Sequence, residues 1–151
     1  MSLVRPSIER PICRVILVCG PPASGKSTYV RVHAKTGDTV IDLDVIAQSF
    51  GLKRGWPSTH FALVMREWAS RMKALSQLSP SEVAWVVMGG ALREHREHWI
   101  RALGVKQSDV VMLTATKEEL FERIKADPER SRIRSEQVLA VRNWFELSRV
   151  E

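Results

Sequence analysis

Gly20, Pro21, Pro22, Ala23, Ser24, Gly25, Lys26 and Ser27 form a tract that fits the pattern G-x-x-x-x-G-K-[ST] at every fixed position. Glycine at both ends of the turn permits positive φ and removes side chains, so successive backbone N–H groups can wrap an anion. A helix opening near Lys26 points the positive end of its dipole at the same place. The chemistry this supports is capture of a string of phosphates. Lys26 would reach the β- and γ-phosphates, and the Ser27 hydroxyl would be a Mg²⁺ ligand. Residue usage puts a chance match in a chain of this length on the order of one in a hundred or less. The expected cradle for ATP with Mg²⁺ is therefore Gly20, Pro22, Ala23, Ser24, Gly25, Lys26, Ser27 and Thr28.

What the triphosphate is used for depends on nearby carboxylates. A base-reading N-K-x-D, which GTPases need, is not supplied by the nearest tract, Thr114-Ala115-Thr116-Lys117-Glu118. Motor-type ATPases place an acid at the end of another core strand, but here those ends read Met88-Gly89-Gly90 and Leu113-Thr114-Ala115. The only acids at a strand end near the loop are Asp42 and Asp44. A carboxylate there can accept a hydroxyl proton and hold the oxygen in line with a γ-phosphate. Asp44 is the expected base, with helix N-capping as its alternative duty. Asp42 is expected to serve the metal and its water, or else the local structure.

Those groups need a scaffold, and the chain spells one out. Residues 12–19 (ICRVILVC) are β-branched and almost continuously apolar, as a strand covered on both faces must be. A helix over 27–35, a short strand over 39–41 and a short helix to about residue 50 follow, then a loop over 51–57 (GLKRGWP). Ser58 is placed to cap a long helix whose Phe61, Val64, Met65, Trp68, Met72 and Leu75 form one apolar stripe. Further strands are expected over 83–88 and 110–114, with helices over 91–103, 117–126 and 135–149. In the helix over 91–103, Leu92, Trp99 and Leu103 should face inward. Strand–helix alternation repeated four times predicts a three-layer α/β/α P-loop NTPase fold with a four-stranded parallel sheet. The whole chain, 1–151, reads as one domain, with 1–11 a flexible N-terminus, about 52–80 a helical insertion over the sheet's carboxyl edge, and 127–134 a lid.

Composition agrees with a compact enzyme-sized domain. The chain has 151 residues, is 44% hydrophobic and 26% charged, and carries a formal net charge of +6. At this length roughly two-thirds of the unfolded surface can be buried. No stretch reaches the ~18 uninterrupted apolar residues of a membrane span, and the first eleven residues lack a signal peptide's apolar centre. The two cysteines, Cys13 and Cys19, share one apolar run and offer no disulfide framework, so a cytoplasmic location is expected. The basic balance favours polyanionic partners, nucleotide or nucleic acid, over a membrane. His95 and His98 stand at i, i+3 without an evident third ligand, so they read as an exposed helix face. Trp68, Trp99 and Trp144 fall on apolar stripes and read as core, whereas Trp56, beside Lys53 and Arg54, is placed either to stack on a base or to pack.

The loop followed by Val40-Ile41-Asp42-Leu43-Asp44-Val45-Ile46-Ala47-Gln48-Ser49 resembles the bacteriophage polynucleotide 5′-kinases and related small P-loop kinases. The Asp-x-Asp spacing is also similar to that of shikimate- and gluconate-type kinases. The resemblance implies that Asp44 is the general base, that 120–123 leads into a basic lid, and that 138–145 lies on the closing helix. Two positions depart from the phage kinases: Ala47 stands where they carry an arginine, and Gly89-Gly90 where they often carry an aspartate. Kinases of this shape close arginines over the transferred charge. Arg130 and Arg132 are the expected catalytic lid residues, Arg123 is expected to contact the nucleotide, and Arg134 lies at the edge of the same stretch. The expected activity is ATP-dependent phosphotransfer to a hydroxyl acceptor, a nucleic-acid 5′-end or a nucleoside within that class. The rival classes are a phage-type ATPase tied to DNA processing or packaging and a non-catalytic ATP-binding module.

Overall fold

The computed structural model describes residues 6–149; residues 1–5 of the expected flexible N-terminus, and 150–151, lie outside the described residues. Four strands, β1 (Arg14–Cys19), β2 (Thr39–Ile41), β3 (Val83–Met88) and β4 (Val110–Met112), form one sheet in the order β2-β3-β1-β4, every neighbouring pair parallel. Six α-helices accompany them: α1 (Lys26–His33), α2 (Leu43–Ser49), α3 (Phe61–Ala74), α4 (Arg93–Leu103), α5 (Lys117–Ala126) and α6 (Arg134–Arg149). This is the three-layer α/β/α arrangement of the P-loop NTPases.

β1 explains why two faces are covered. Its Val15, Leu17 and Cys19 point into one core with Ile46 of α2, Val64 and Met72 of α3, and Trp99 and Leu103 of α4. Its Ile16 and Val18 point the other way, onto Val30 of α1, Trp85 and Val87. A strand with a helix layer on each side has no polar face, and its sequence shows none. The apolar stripe of α3 does what its spacing requires: Val64, Met72 and Leu75 are buried, and Trp68 meets Trp99 edge-to-face at 5.6 Å. A third, smaller cluster of Leu120, Ile124 and Val141 joins α5 to α6 and receives Ala23 from the phosphate loop.

Several boundaries differ from the sequence-based expectation, each for a local reason. A 3₁₀ turn at Ser58–His60 precedes α3, so His60 rather than Ser58 occupies the N-cap position and no side chain caps the helix. α4 begins at Arg93, which leaves Leu92 before the helix and 40% exposed rather than inward. β4 ends at Met112, and the next residue, Leu113, donates its N–H to Cys19 O at 2.8 Å. Ahead of β1, Ile8 packs against the main core and Arg10 donates to Arg101 O at 3.0 Å.

Two long-range polar ties fix the sheet's amino edge. The Trp85 indole donates to Asp38 Oδ2 at 2.9 Å. Arg14 grips Asp109, with Nη2 to Oδ1 at 2.8 Å and Nε to Oδ2 at 3.1 Å. The hydrogen bond from Arg14 holds the Asp109 carboxyl below its usual range. A depressed carboxylate stabilises the fold above its unfolded-state pKa and loses that contribution as pH falls through the folded-state value. Asp109→Asn should therefore flatten the decline in stability below about pH 4, read by urea midpoints across the acid range. In the core, Leu17→Ala removes a fully buried side chain from the central strand. It should cost about 2–5 kcal/mol in chemical denaturation.

Candidate active site

The phosphate loop leaves the carboxyl end of β1 between β3 and β4. Gly20 N donates to Gly89 O at 3.1 Å, which seats the start of the loop against the end of β3. A Cβ on Gly20 would stand 2.7 Å from Leu113 O and 2.6 Å from Ser24 Oγ, so the backbone there admits no side chain. The turn is completed by Ala23 at φ 65° and Gly25 at φ 93°, left-handed conformations that glycine tolerates and alanine resists. Tyr29 N then donates to Gly25 O at 2.8 Å, opening α1, whose first turn carries no acid. The free N–H groups of that first turn and its dipole face the cavity.

That cavity, about 360 Å³, is walled by the loop together with Asp44, Arg54, Trp56, Arg130 and Gln137. Lys26 Nζ donates to Gly20 O at 2.7 Å and Pro21 O at 2.9 Å, so its ammonium sits over the loop it belongs to. Burial pulls its pKa down to about 8, against the opposing pull of Asp42 and Asp44. Ser27 Oγ donates to Asp42 Oδ2 at 2.6 Å. Asp42 is buried, and its Oδ1 accepts Asp44 N at 3.0 Å, making it the N-cap of α2. Helix capping thus falls to Asp42, which frees the Asp44 carboxylate from backbone work. Asp44 keeps 41% of its side chain exposed, and its nearest cation is Arg54, Nη1 to Oδ2 at 3.5 Å.

The arginines expected in the lid part company. Arg130, in the 3₁₀ segment Pro128–Ile133, is buried and lines the cavity. It donates from Nε to Asp127 Oδ2 at 3.0 Å and from Nη1 to Gln137 Oε1. Burial and then the charge of Arg54 push its pKa down. Arg132 is exposed and lies in a neighbouring groove, outside the lining of that cavity. Arg123 reaches from α5 to the loop itself, Nη1 to Ala23 O at 3.1 Å, beside a cavity of about 550 Å³ that includes Thr28, Tyr29 and Leu113. Arg134 donates to Lys125 O at 2.9 Å and so joins α5 to α6.

Arg54 and Gln137 are the residues that the sequence did not single out as site residues. A signal existed for Arg54: it stands between Gly51 and Gly55, both with positive φ, in the loop directly after the Asp-x-Asp helix. Gln137, one helix away, had none. Trp56 is half-buried, stacks on Phe61 with ring centroids 6.3 Å apart, and lines the cavity. Trp144 is half-buried rather than core and donates its indole N–H to Gly89 O at 2.9 Å. The His95 ring accepts the Trp99 indole N–H at 3.0 Å. Among the described residues no group of three or more His, Cys, Asp or Glu could hold a metal ion.

A nucleoside triphosphate with Mg²⁺ fits what is present. Ser24 Oγ is buried without a hydrogen-bond partner at the base of the loop, and Gly25 has open space where a Cβ would stand. Ser27 and Asp42 offer hard oxygen donors of the kind Mg²⁺ takes one or two at a time, with phosphates and waters filling the rest.

Comparison with known proteins agrees with the fold. The family model described as "AAA domain" matches residues 16–142. A shikimate kinase from Acinetobacter baumannii, solved in complex with shikimate, superposes with a TM-score of 0.57 and 20% identity over 91% of this chain and 77% of its own. A shikimate kinase from Bacteroides thetaiotaomicron gives 0.55 and 22% over 88% and 78%. A protein from Thermus thermophilus gives 0.51 and 25% over 89% and 80%. No curated protein matches the sequence. No helix among the described residues is long and apolar enough to cross a membrane. With a loop, a sheet order and a family match spanning most of its length in agreement, the chain belongs to the AAA domain family, and its fold is similar to that of these shikimate kinases.

Proposed function

We propose that this domain is an ATP-dependent phosphotransferase that moves the γ-phosphoryl group of ATP·Mg²⁺ to a small hydroxyl acceptor. The observation that carries the reading is the division of labour between two aspartates. Asp42 is buried and spent on Ser27 and the α2 cap, while Asp44 presents a half-exposed carboxylate to the cavity that also holds Lys26. A carboxylate spared the helix cap at that position, with Arg54 beside it at 3.5 Å, suits a general base better than a cap or a metal ligand.

The loop amides, the α1 N-terminus and Lys26 hold the phosphates, and Ser27 with Asp42 would hold the metal. Bound Mg²⁺ would supply neutralisation of the phosphate charge. Asp44 takes the proton from the acceptor hydroxyl. The acceptor oxygen forms its bond to the γ-phosphorus as the bond to the β–γ bridging oxygen breaks, leaving ADP. Arg54 and Arg130 face the oxygens on which charge accumulates. The shikimate kinase likeness supports a small acceptor, and the net charge of +6 favours an acceptor of nucleotide type, a nucleoside or nucleic-acid 5′-end.

Incubation with γ-labelled ATP and a panel of hydroxyl compounds should label at least one acceptor; label released only as free phosphate would leave an ATPase instead. Asp44→Asn should lower kcat by about 10²- to 10⁴-fold while nucleotide still binds. Unchanged turnover in that variant would remove Asp44 as the base. Lys26→Ala should weaken nucleotide binding by about 1.5–3 kcal/mol in calorimetry, the cost of a lost charge-assisted contact.

A further inference from the structure

A second groove, about 440 Å³, adjoins the phosphate cavity and has had no role so far. Its walls are Gln48, Leu52, Lys53 and Arg54 on one side and Pro128, Glu129, Ser131 and Arg132 on the other. Three cations face it against the single carboxylate of Glu129. Arg54 lines both cavities and is the partition between them. Its Nε is buried and has no hydrogen-bond partner, a donor available to an oxygen on a ligand.

The groove has fixed walls. Leu52 packs against the main core, while its neighbour Lys53 is exposed and Arg54 is half-buried between the two cavities. Gly55, at φ 80°, approaches Ile133 so closely that a Cβ would stand 2.6 Å from Ile133 Cγ2, so the 51–57 loop and the lid segment are docked together. Gln48 lies one helical turn beyond Asp44 on α2, at the i, i+4 spacing that puts two side chains on one face. A molecule seated against Gln48 therefore extends one turn back to reach the Asp44 carboxylate.

We propose that this groove binds the acceptor through an anionic group of its own, and that the acceptor is a phosphorylated alcohol. The inference rests on the phosphotransferase reading above and names its substrate class. Lys53 and Arg132 hold the acceptor's phosphate, and Arg54 bridges it to the phosphate cavity. Arg132 thereby takes a binding role in this groove, distinct from that of Arg130.

The test uses the full chain saturated with a non-hydrolysable ATP analogue. Calorimetry measures three matched pairs: thymidine with thymidine 3′-monophosphate, glycerol with glycerol 3-phosphate, and glucose with glucose 6-phosphate. In at least one pair the phosphorylated member should bind about tenfold tighter or more, and Lys53→Glu should abolish that preference. Lys125→Ala, an exposed cation elsewhere, should leave it intact. Inorganic phosphate alone should compete only weakly; if it competes as well as the phosphorylated alcohol, the site is for the free anion and the proposal fails. Equal binding within every pair, or an unaltered preference in Lys53→Glu, also overturns it. Labelled-ATP assays on the same pairs separate the two readings. Preference without any label transfer refutes the kinase and keeps the groove, whereas transfer without preference refutes the groove and keeps the kinase.

Discussion

Lys26, Arg54 and Arg130 bring three positive charges to the wall of one cavity, and the surrounding structure is organised around holding them there. Burial lowers the pKa of both Lys26 and Arg130, and a neighbouring cation adds to it, Arg130 at Lys26 and Arg54 at Arg130. Each is restrained by a different partner: Lys26 by the carbonyls of Gly20 and Pro21, Arg130 by Asp127 and Gln137, Arg54 by Asp44. The partners come from the loop, the end of α5, α6 and α2. A cavity that concentrates positive potential favours anions.

The start of α2 decides which aspartate does what. Because the helix begins at Leu43, the extended residue before it, Asp42 at φ −141°, is the one whose side chain turns back to cap. The same buried carboxylate accepts the Ser27 hydroxyl, tying α2 to the phosphate loop. A shift of the helix start by two residues would have exchanged the roles and put the free carboxylate on the strand. Backbone geometry, at a scale of one or two residues, thus sets the chemistry available at the site.

The sheet order contributes at a larger scale. With β1 flanked by β3 on one side and β4 on the other, its carboxyl end opens beneath Gly89 and Leu113, whose backbones touch the loop. Gly90, at φ 63°, packs within reach of Cys19, where a Cβ would stand 2.8 Å from Sγ. The paired glycines after β3 therefore bring strand ends close together around the loop. The last helix is fastened to the same edge by the Trp144–Gly89 bond.

The phosphate loop, the two aspartates and the parallel α/β alternation were all legible in the chain because each is a local pattern. Glycine spacing dictates a turn, unbroken β-branched runs dictate buried strands, and an apolar stripe at helical spacing dictates the face of α3. Where patterns are weak the reading slipped: the caps of α2 and α3 and the start of α4 depend on which of several adjacent residues turns first. Arg54 carried only the faint signal of its flanking glycines, and Gln137 and the separation of Arg130 from Arg132 could not be read, because they arise from segments more than about 100 residues from the loop, in a direction that only packing defines. The local order of residues determined that this protein builds a glycine-rich turn beside a pair of carboxylates. Tertiary structure decided which carboxylate is free and which arginines face it, since long-range contacts choose among side chains that are equivalent along the chain.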